Sequence, residues 1–499
     1  MTEWRDQPTR QRLTVGFVVL GLLIVLGATA RCSRSGPLAS KHVETLRVGV
    51  GRVAVAAAQS GLRQLTGNQT LEGLINFNED GRPRPWLAEN WSIAEDGLTI
   101  TLQLRANARF HDDTPVTASL VAKALQKNLP DIMGSAFEDV ERVEAIDDMR
   151  VRVQLRRPSQ FLIEALDAPI QNLDRDHSGT GPFMASASIS QSELRANPNY
   201  YLGRPIIDRI DLTPYPSVRA AWADLLRGNV DMLYEVTADG LDSLKGSSSV
   251  SVFSFLRHYQ YAITFGTNAP ALESVEVRRE LNAAIDRAAV VRVALGGHGI
   301  PSTGPIPSQH WALDTEAPKL AFDGSVAKKL VPKHLHFTCL VPADSVYERI
   351  ALVVKQQLAA ASVDMRVEEA TQEQILQAAK SKKFDAVLVD SVSGPNLFRV
   401  YRQFYSKVSF NPKPRSSPAI DAALDRIRYA GSDAEYRAAV TTFQQAIVSD
   451  PPALFIAWDE RARAVSRRFD IPLPENGRDI LATLRLWRPA TVQQLASRN

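Results

Sequence analysis

The residues best suited to bind a small ligand follow an apolar segment near position 390. Residues 384–389 read FDAVLV, which predicts a buried strand. The polar residues that come next are Asp390, Ser391, Ser393 and Asn396. Ligands of open α/β sheets bind beyond the carboxyl ends of the strands, so these side chains are candidate ligand contacts. The Asp390 carboxylate suits an ammonium group and the neutral side chains suit a hydroxylated or amide ligand, but Asp390 is equally suited to cap the loop backbone.

His111, Asp112 and Asp113 form a run whose side chains could bind a metal ion. A metal-dependent hydrolase needs several ligands from separate elements, and no H-x-x-x-H pairing occurs among the eight histidines. The sequence also contains no G-x-S-x-G nucleophile motif and no Walker phosphate-binding loop. We therefore predict that the protein is not an enzyme and holds no metal ion and no other cofactor.

A β-hairpin and the helix after it form the best-defined group of predicted elements. The turn is marked by Asp96-Gly97, a pair that is typical of tight hairpins. Apolar side chains then occupy alternate positions at Leu98, Ile100, Leu102 and Leu104. This spacing predicts a strand with one buried face. Thr117 follows a second turn and is suited to cap a helix that continues to about residue 128.

The rest of the chain alternates between predicted strands and predicted helices. Further strands are predicted at 46–50, 149–156, 191–196, 207–212, 229–233, 259–268, 334–341, 363–367 and 453–457. Further helices are predicted at 161–166, 217–228, 275–295, 346–361, 373–379, 420–429 and 433–449. An alternation of this kind favours α/β architecture. A chain of 499 residues is also long for one core, because single cores stop growing near ~250–300 residues, so two or more lobes are expected.

The order of several short motifs resembles the signature of the extracellular solute-binding proteins, family 5. The motifs are P-x-L-A-E-x-W at 85–91, E-D-G-x-T-x-T at 95–101, F-H-D-x-x-P-V-T-A at 110–118, G-T-G-P-F at 179–183 and V-R-R-E-L at 277–281. Each motif is weak alone, but together they follow the order of the family from about residue 46 to residue 473. Most members have glycine where this chain has Asp113, and we expect the turn to survive because aspartate tolerates left-handed backbone geometry.

The resemblance implies a two-lobed α/β fold of the periplasmic-binding-protein type (cluster C) with a small extra domain in the first lobe. It also implies lobe closure around a solute and delivery of that solute to the membrane permease of an ABC importer. The implied organisation is an n-region at 1–12, a leader helix at 13–30, a linker at 31–44, the first lobe at 45–75 and 176–264, the extra domain at 76–175, the second lobe at 265–468, and a return to the first lobe with a tail at 469–499.

The resemblance also indicates which residues lie near the cleft between the lobes. The strand that begins at Tyr259 resembles the one by which members of the family cross between lobes, so the candidates there are Arg257, His258, Tyr259 and Tyr261. Aromatic residues at alternate strand positions are also typical of a core. Peptide-binding members have an acidic loop where this chain has residues 390–398, and only Asp390 remains here. A desolvated ammonium group needs a charged partner, so this loss argues against short peptides held by their amine.

The N-terminus has the composition of an export signal. Arg5, Arg10 and Arg12 precede an uncharged apolar run at 13–30. The run exceeds the ~7–15 residues of a signal-peptide core and reaches the ~18 residues of a short membrane span. It ends in a small-x-small sequence at 28–30 that is typical of a cleavage site, so a cleaved signal peptide and a retained anchor both remain open. Either form places the bulk of the chain outside the cytoplasmic membrane.

Charge and cysteine content narrow the remaining functions. The net charge is only +3, with no basic patch large enough to indicate nucleic acid as a partner. Cys32 follows Arg31, whereas a lipoprotein cysteine follows a small residue, and Cys339 reads as a lone buried thiol. We therefore predict a monomeric substrate-binding component of an ABC importer that carries a peptide-like or other small polar solute. The alternative is a membrane-anchored sensing or structural interaction module with the same fold.

Overall fold

The computed structural model describes residues 44–51, 58–175, 178–185, 193–236, 238–325, 334–392, 394–408, 412, 414–474 and 478–491. Within these ranges, no helix has both the length and the apolar character that crossing a membrane requires. The leader predicted at 13–30 lies outside the described residues, as does the candidate ligand contact Ser393.

The helices begin where the sequence supplies a capping side chain. The Thr117 hydroxyl accepts a hydrogen bond from the Leu120 N–H, and the Ser217 hydroxyl accepts one from the Ala220 N–H. The helices are α1 (Ala58–Thr70), α2 (Ala118–Met133), α3 (Gln160–Ala165), α4 (Val218–Leu226), α5 (Ala238–Lys245), α6 (Val275–Ala283), α7 (Arg287–Ala294), α8 (Ser345–Ala360), α9 (Gln372–Ser381), α10 (Phe398–Phe404), α11 (Pro418–Arg428) and α12 (Asp433–Ser449).

Most strands belong to one large mixed sheet. Its order is β15-β14-β16-β12-β17-β11-β1-β10-β9-β8, and β13 also pairs with β17. The strands are β1 (Thr45–Gly51), β2 (Ile75–Phe77), β3 (Pro83–Pro85), β4 (Ala88–Ile93), β5 (Thr99–Leu104), β6 (Val140–Ala145), β7 (Arg150–Leu155), β8 (Phe183–Ala185), β9 (Glu193–Ala196), β10 (Arg209–Tyr215), β11 (Met232–Val236), β12 (Val250–Phe265), β13 (Gly299–Pro301), β14 (His336–Pro342), β15 (Asp364–Ala370), β16 (Ala386–Val392), β17 (Ala453–Ser466), β18 (Phe469–Asp470) and β19 (Arg488–Pro489).

Two long antiparallel strands, β12 and β17, run through the middle of the large sheet. Residues 250–256 of β12 pair with the second half of β17, and residues 260–264 pair with its first half. The register between the strands shifts between Leu256 and Gln260. Parallel strands lie on both sides of this pair, with β1 beside β10 and β11 on one side and β14 beside β15 and β16 on the other.

The predicted hairpin lies in a separate antiparallel sheet with the order β4-β5-β7-β6. Ile100, Leu102 and Leu104 are at most 2% exposed, as their alternation predicts. This sheet and α2 share one hydrophobic core with α10, α11 and α12. A buried ion pair joins the same two regions, because Arg428 Nε of α11 lies 2.6 Å from Asp139 Oδ2, just before β6.

Four predictions about individual elements need correction. The single helix predicted at 275–295 is wrong, because Asp286 caps a second helix by accepting a hydrogen bond from the Ala289 N–H, so that α6 and α7 are separate. The strand predicted to end at residue 389 continues to Val392, so Asp390 and Ser391 lie in β16 and not in the following loop. The strands predicted at 259–268 and 453–457 are parts of the longer β12 and β17. Helix α10 was not predicted.

Candidate functional site

A cavity of about 690 Å³ is the best candidate for a ligand site in the described part of the chain. Its walls come from α1, the segment at 71–86, the turn at 167–169, α10 and the segment at 478–485. Its volume lies within the ~300–1,000 Å³ of typical small-molecule sites. The chain therefore brings together segments that are more than 400 residues apart to enclose one space.

Glu72 is the most buried carboxyl group in the cavity wall, at 6% exposure. Its Oε1 accepts hydrogen bonds from Trp86 Nε1 at 2.8 Å, from the Tyr200 hydroxyl at 2.6 Å and from the Tyr201 hydroxyl at 3.2 Å. Its Oε2 accepts a hydrogen bond from the Thr180 hydroxyl at 2.9 Å. Burial raises the pKa of Glu72 to about 7, against the opposing effect of these four donors. Through these four hydrogen bonds, Glu72 holds the side chains around it in place in the cavity wall.

Arginine is the commonest charged residue of the wall. The arginines that line the cavity are Arg63, Arg84, Arg399, Arg402, Arg478 and Arg485. The lining carboxyl groups are Glu72, Glu79, Asp167 and Asp479. The described part of the wall therefore has six arginines and four acidic residues, and it contains no lysine or histidine.

The Arg402 guanidinium has no ion-pair or hydrogen-bond partner among the described residues. It lies in α10 at intermediate exposure. Burial and the neighbouring charge of Arg399 lower the pKa of Arg402. Arg399 itself lies 3.4 Å from Asp167, between its Nη2 and Oδ2 atoms. Arg402 is therefore a positive group of the wall that is available to a ligand.

Glu79 connects the cavity to the long strand β12. Its Oε1 accepts a hydrogen bond from Arg478 Nε at 3.0 Å, and its Oε2 lies 2.7 Å from His258 Nε2. Burial raises the pKa of Glu79, but His258 and Arg478 outweigh that effect and hold it below its usual value. His258 is close to the register shift of β12, so this network links the wall of the cavity to the irregular part of the strand.

Two of the sequence-predicted residues come together on the neighbouring strands. Tyr261 of β12 and Asp390 of β16 are cross-strand partners, so their side chains share a face of the sheet. The Tyr261 hydroxyl accepts a hydrogen bond from Arg461 Nη2 at 3.1 Å. Burial and the charge of Asp390, to which its hydroxyl bonds, raise the pKa of Tyr347 well above its usual value. Tyr261 is 1% exposed, so it is packed in the core around these groups.

Two other predicted residues, Ser391 and Asn396, form hydrogen bonds within the protein. Ser391 is 6% exposed and accepts a hydrogen bond from Gln403 Nε2 at 2.8 Å. Asn396 is 1% exposed and donates to the Glu164 carbonyl oxygen at 3.2 Å. Tyr259 and Arg257 lie in β12, and only the backbone of Arg257 is described. None of the six predicted residues whose side chains the structure describes lines the cavity, and the contact of all eight with a ligand stays a prediction.

The described residues contain no group of three or more histidine, cysteine, aspartate or glutamate side chains placed to hold a metal ion. His111 instead contacts the Gly181 carbonyl oxygen through Nε2 at 3.0 Å, and burial lowers its pKa. Asp113 has a positive φ of 65°, so the predicted left-handed turn at this position is confirmed.

Comparison with known proteins identifies the class of fold. The family model "Bacterial extracellular solute-binding proteins, family 5 Middle" matches residues 82–411. Heme-binding protein A of Haemophilus influenzae is 24% identical over 305 residues, which are 53% of this chain and 56% of that protein. The chain thus matches somewhat more than half the length of this relative.

Solved structures match almost the whole chain. NikZ from Campylobacter jejuni, in complex with Ni(L-His), has a TM-score of 0.76 and 21% identity, and the match covers 89% of this chain and 99% of NikZ. AgaA from A. tumefacien R10, in complex with agropinic acid, has a TM-score of 0.73 and 20% identity, and the match covers 90% of this chain and 99% of AgaA. The two-lobed α/β fold predicted from the sequence is confirmed by these likenesses.

Proposed function

Because the chain belongs to the bacterial extracellular solute-binding proteins, family 5, we propose that the cavity beside Glu72 holds the solute that it carries. Membership in this family of solute-binding proteins supports the role in ABC transport that the sequence predicts. That the chain delivers this solute to a membrane permease is also part of the proposal.

The construction of the cavity is the observation that carries this proposal. Its wall combines α1 and the C-terminal segment at 478–485 with α10, which follows β16 on the far side of the β12–β17 pair. A solute in such a space contacts segments that adjoin both halves of the large sheet. Binding would therefore favour the arrangement in which the two halves lie close together.

The contacts of Glu79 connect the cavity wall to the central strand β12. Glu79 lies in the cavity wall and pairs with His258 of β12 and with Arg478 of the C-terminal segment. A solute that displaces or strengthens the Arg478 contact would change the restraint on His258. We propose that solute binding in the cavity changes, through these contacts, the conformation of the region where β12 and β17 change register.

A solute screen with a blocked cavity tests the proposal. Thermal unfolding of the full-length protein is measured against peptides, chelated metals, sugars, opines, organic acids and amines. A solute at 100 times its dissociation constant should stabilise the protein by about 2.7 kcal/mol. Ala482→Trp places an indole at an exposed position of the cavity wall, and Ala359→Trp is the matched control on the exposed face of α8.

We expect at least one solute to stabilise the protein and the Ala359→Trp variant alike, and to lose its effect in the Ala482→Trp variant. Stabilisation that survives in Ala482→Trp would place the solute outside this cavity. If no solute stabilises a well-folded protein, the solute-binding proposal fails and the alternative of an interaction module is favoured.

Location and partners complete the proposal. The family is extracellular, and we propose that this chain works at the outer face of the cytoplasmic membrane as a monomer, beside its permease. Residues 13–30 would serve either as a cleaved signal or as an anchor. The N-terminal sequence of the mature protein distinguishes the two, because cleavage after Ala30 leaves Arg31 at the terminus.

A further inference from the structure

The arginines of the cavity point to the chemical class of the solute. Given the proposed function, on which this inference rests, we propose that the solute is a small anion with two or more acidic groups, carboxylate or phosphate. Arginine is the side chain best matched to such groups, because its planar guanidinium offers two parallel hydrogen bonds to a carboxylate or phosphate.

The carboxyl groups of the wall are engaged by protein partners. Asp479 pairs with Arg463, which lies outside the wall, through an Nη2–Oδ2 contact of 2.5 Å. Glu79 pairs with Arg478 and His258, and Asp167 faces Arg399. Glu72 is satisfied by neutral hydroxyl and indole donors, as described above. These acidic side chains therefore already have donors within the protein and do not need a cationic solute as a partner.

The guanidinium groups are less completely matched. Arg402, at intermediate exposure, has no acceptor among the described residues, and neither has Arg63, which is exposed. Arg485 donates through Nη1 to the Leu202 carbonyl oxygen at 3.0 Å, which contributes a dipole but no negative charge. Positive side chains that are partly removed from water are costly without a counter-charge. An anion that enters the cavity supplies this charge, and the two partly buried arginines, Arg402 and Arg485, indicate more than one acidic group.

The same wall disfavours the solutes that the acidic-loop members of the family carry. An ammonium group would meet Arg402 and Arg399 on α10 and would find its nearest carboxylates already paired. The sequence had indicated the same direction, since only Asp390 remains of the acidic loop. That carboxylate lies on β16 and does not line the cavity.

Calorimetric titration at pH 7.5 and low salt tests the inference with probes of defined charge. The anionic probes are citrate, for carboxylate, and fructose 1,6-bisphosphate, for phosphate. Glucose is the neutral probe and spermidine the cationic one. Arg402→Gln removes the charge at the cavity, Arg402→Lys keeps the charge without the planar fork, and Arg292→Gln removes an exposed arginine of α7 as the matched control.

We expect citrate or fructose 1,6-bisphosphate to bind, with the preferred probe separating the carboxylate and phosphate classes. Affinity should fall about tenfold or more in Arg402→Gln, less in Arg402→Lys, and by less than twofold in Arg292→Gln. Binding should weaken as salt increases. Ala482→Trp should abolish it.

The contrary outcomes separate this inference from the function on which it rests. A neutral or cationic solute that binds the protein, is blocked by Ala482→Trp and is unaffected by Arg402→Gln would overturn the anionic class while the proposed function stands. Anion binding that persists in Ala482→Trp would be surface binding and would also overturn the inference. Failure of every solute in the screen would overturn both.

Discussion

Substitution of Arg428 by methionine probes the contact between the four-stranded sheet and α11. Arg428 Nε lies 2.6 Å from Asp139 Oδ2, and the two side chains are 1% and 0% exposed. Arg428 Nη2 also donates to the Ala136 carbonyl oxygen at 3.2 Å. Asp139 keeps one other cationic partner, Arg157 Nε at 2.6 Å, which is 48% exposed. Methionine fills most of the space but leaves a buried carboxylate with half of its charged contacts.

The expected cost follows from the burial of the pair. Removal of one partner of a buried ion pair costs about 3–5 kcal/mol, and the remaining contact of Asp139 with Arg157 places this case near 3 kcal/mol. An unfolding entropy of about 2.1 cal/mol/K per residue gives roughly 1 kcal/mol/K for a compact unit that spans Val43–Asn499. The melting temperature of Arg428→Met should therefore fall by about 3 °C.

Calorimetry and urea unfolding of the full-length protein measure this difference. Arg426→Met is the matched control, because Arg426 lies on the same helix and is exposed. Its free energy of unfolding should change by less than about 0.5 kcal/mol. If Arg428→Met is as stable as Arg426→Met, the buried pair contributes nothing to the contact and the reasoning is wrong.

Three further predictions concern single side chains. Burial raises the pKa of Glu164 to about 7, so the protonated Glu164 contributes fully to stability below its ordinary pKa of 4.5, and this contribution is lost as the pH rises through 7. In urea titrations, the free energy of unfolding of the native protein relative to Glu164→Gln should fall by about 3 kcal/mol across this range. Burial also raises the pKa of the Cys339 thiol to about 12, so Cys32→Ser protein should show no thiol that reacts with a disulfide reagent at pH 8 until it is denatured. At the left-handed position 113, Asp113→Gly should unfold within about 0.5 kcal/mol of the native protein, whereas Asp113→Val should lose about 1–2 kcal/mol; equal losses would show that the turn is not constrained.

The local elements could be predicted because their signals lie within a few residues of one another. The Asp96-Gly97 turn and the alternation after it correctly predict β4 and β5, and Thr117 and Ser217 cap the helices that follow them. The break between α6 and α7 was missed because the apolar spacing continues across it, while the Asp286 cap interrupts the backbone hydrogen bonds. Helix α10 is short and packs against distant residues, such as Phe161, whose ring lies 5.8 Å from that of Phe398.

The cavity could not be predicted from local patterns. Its arginines are spread from position 63 to position 485, and each by itself is an ordinary polar residue of a helix or loop. Only the packing of α10 and the C-terminal segment beside α1 makes them neighbours. The strand predicted to end at residue 389 extends to Val392, and the first described residue after it that lines the cavity is Phe398.

The pairing of β12 with β17 limits the ways in which the two halves of the sheet can move. Its ladder has two register shifts, one between Leu256 and Gln260 and one between Tyr261 and Ala262. A pair of hydrogen-bonded strands resists stretching, because all its hydrogen bonds would have to lengthen together, but it accepts a range of twist. We therefore expect this pair of strands to act as a torsion joint. Motion through it would be a rotation about one axis, so the separation of any two facing groups would grow in proportion to their distance from that axis.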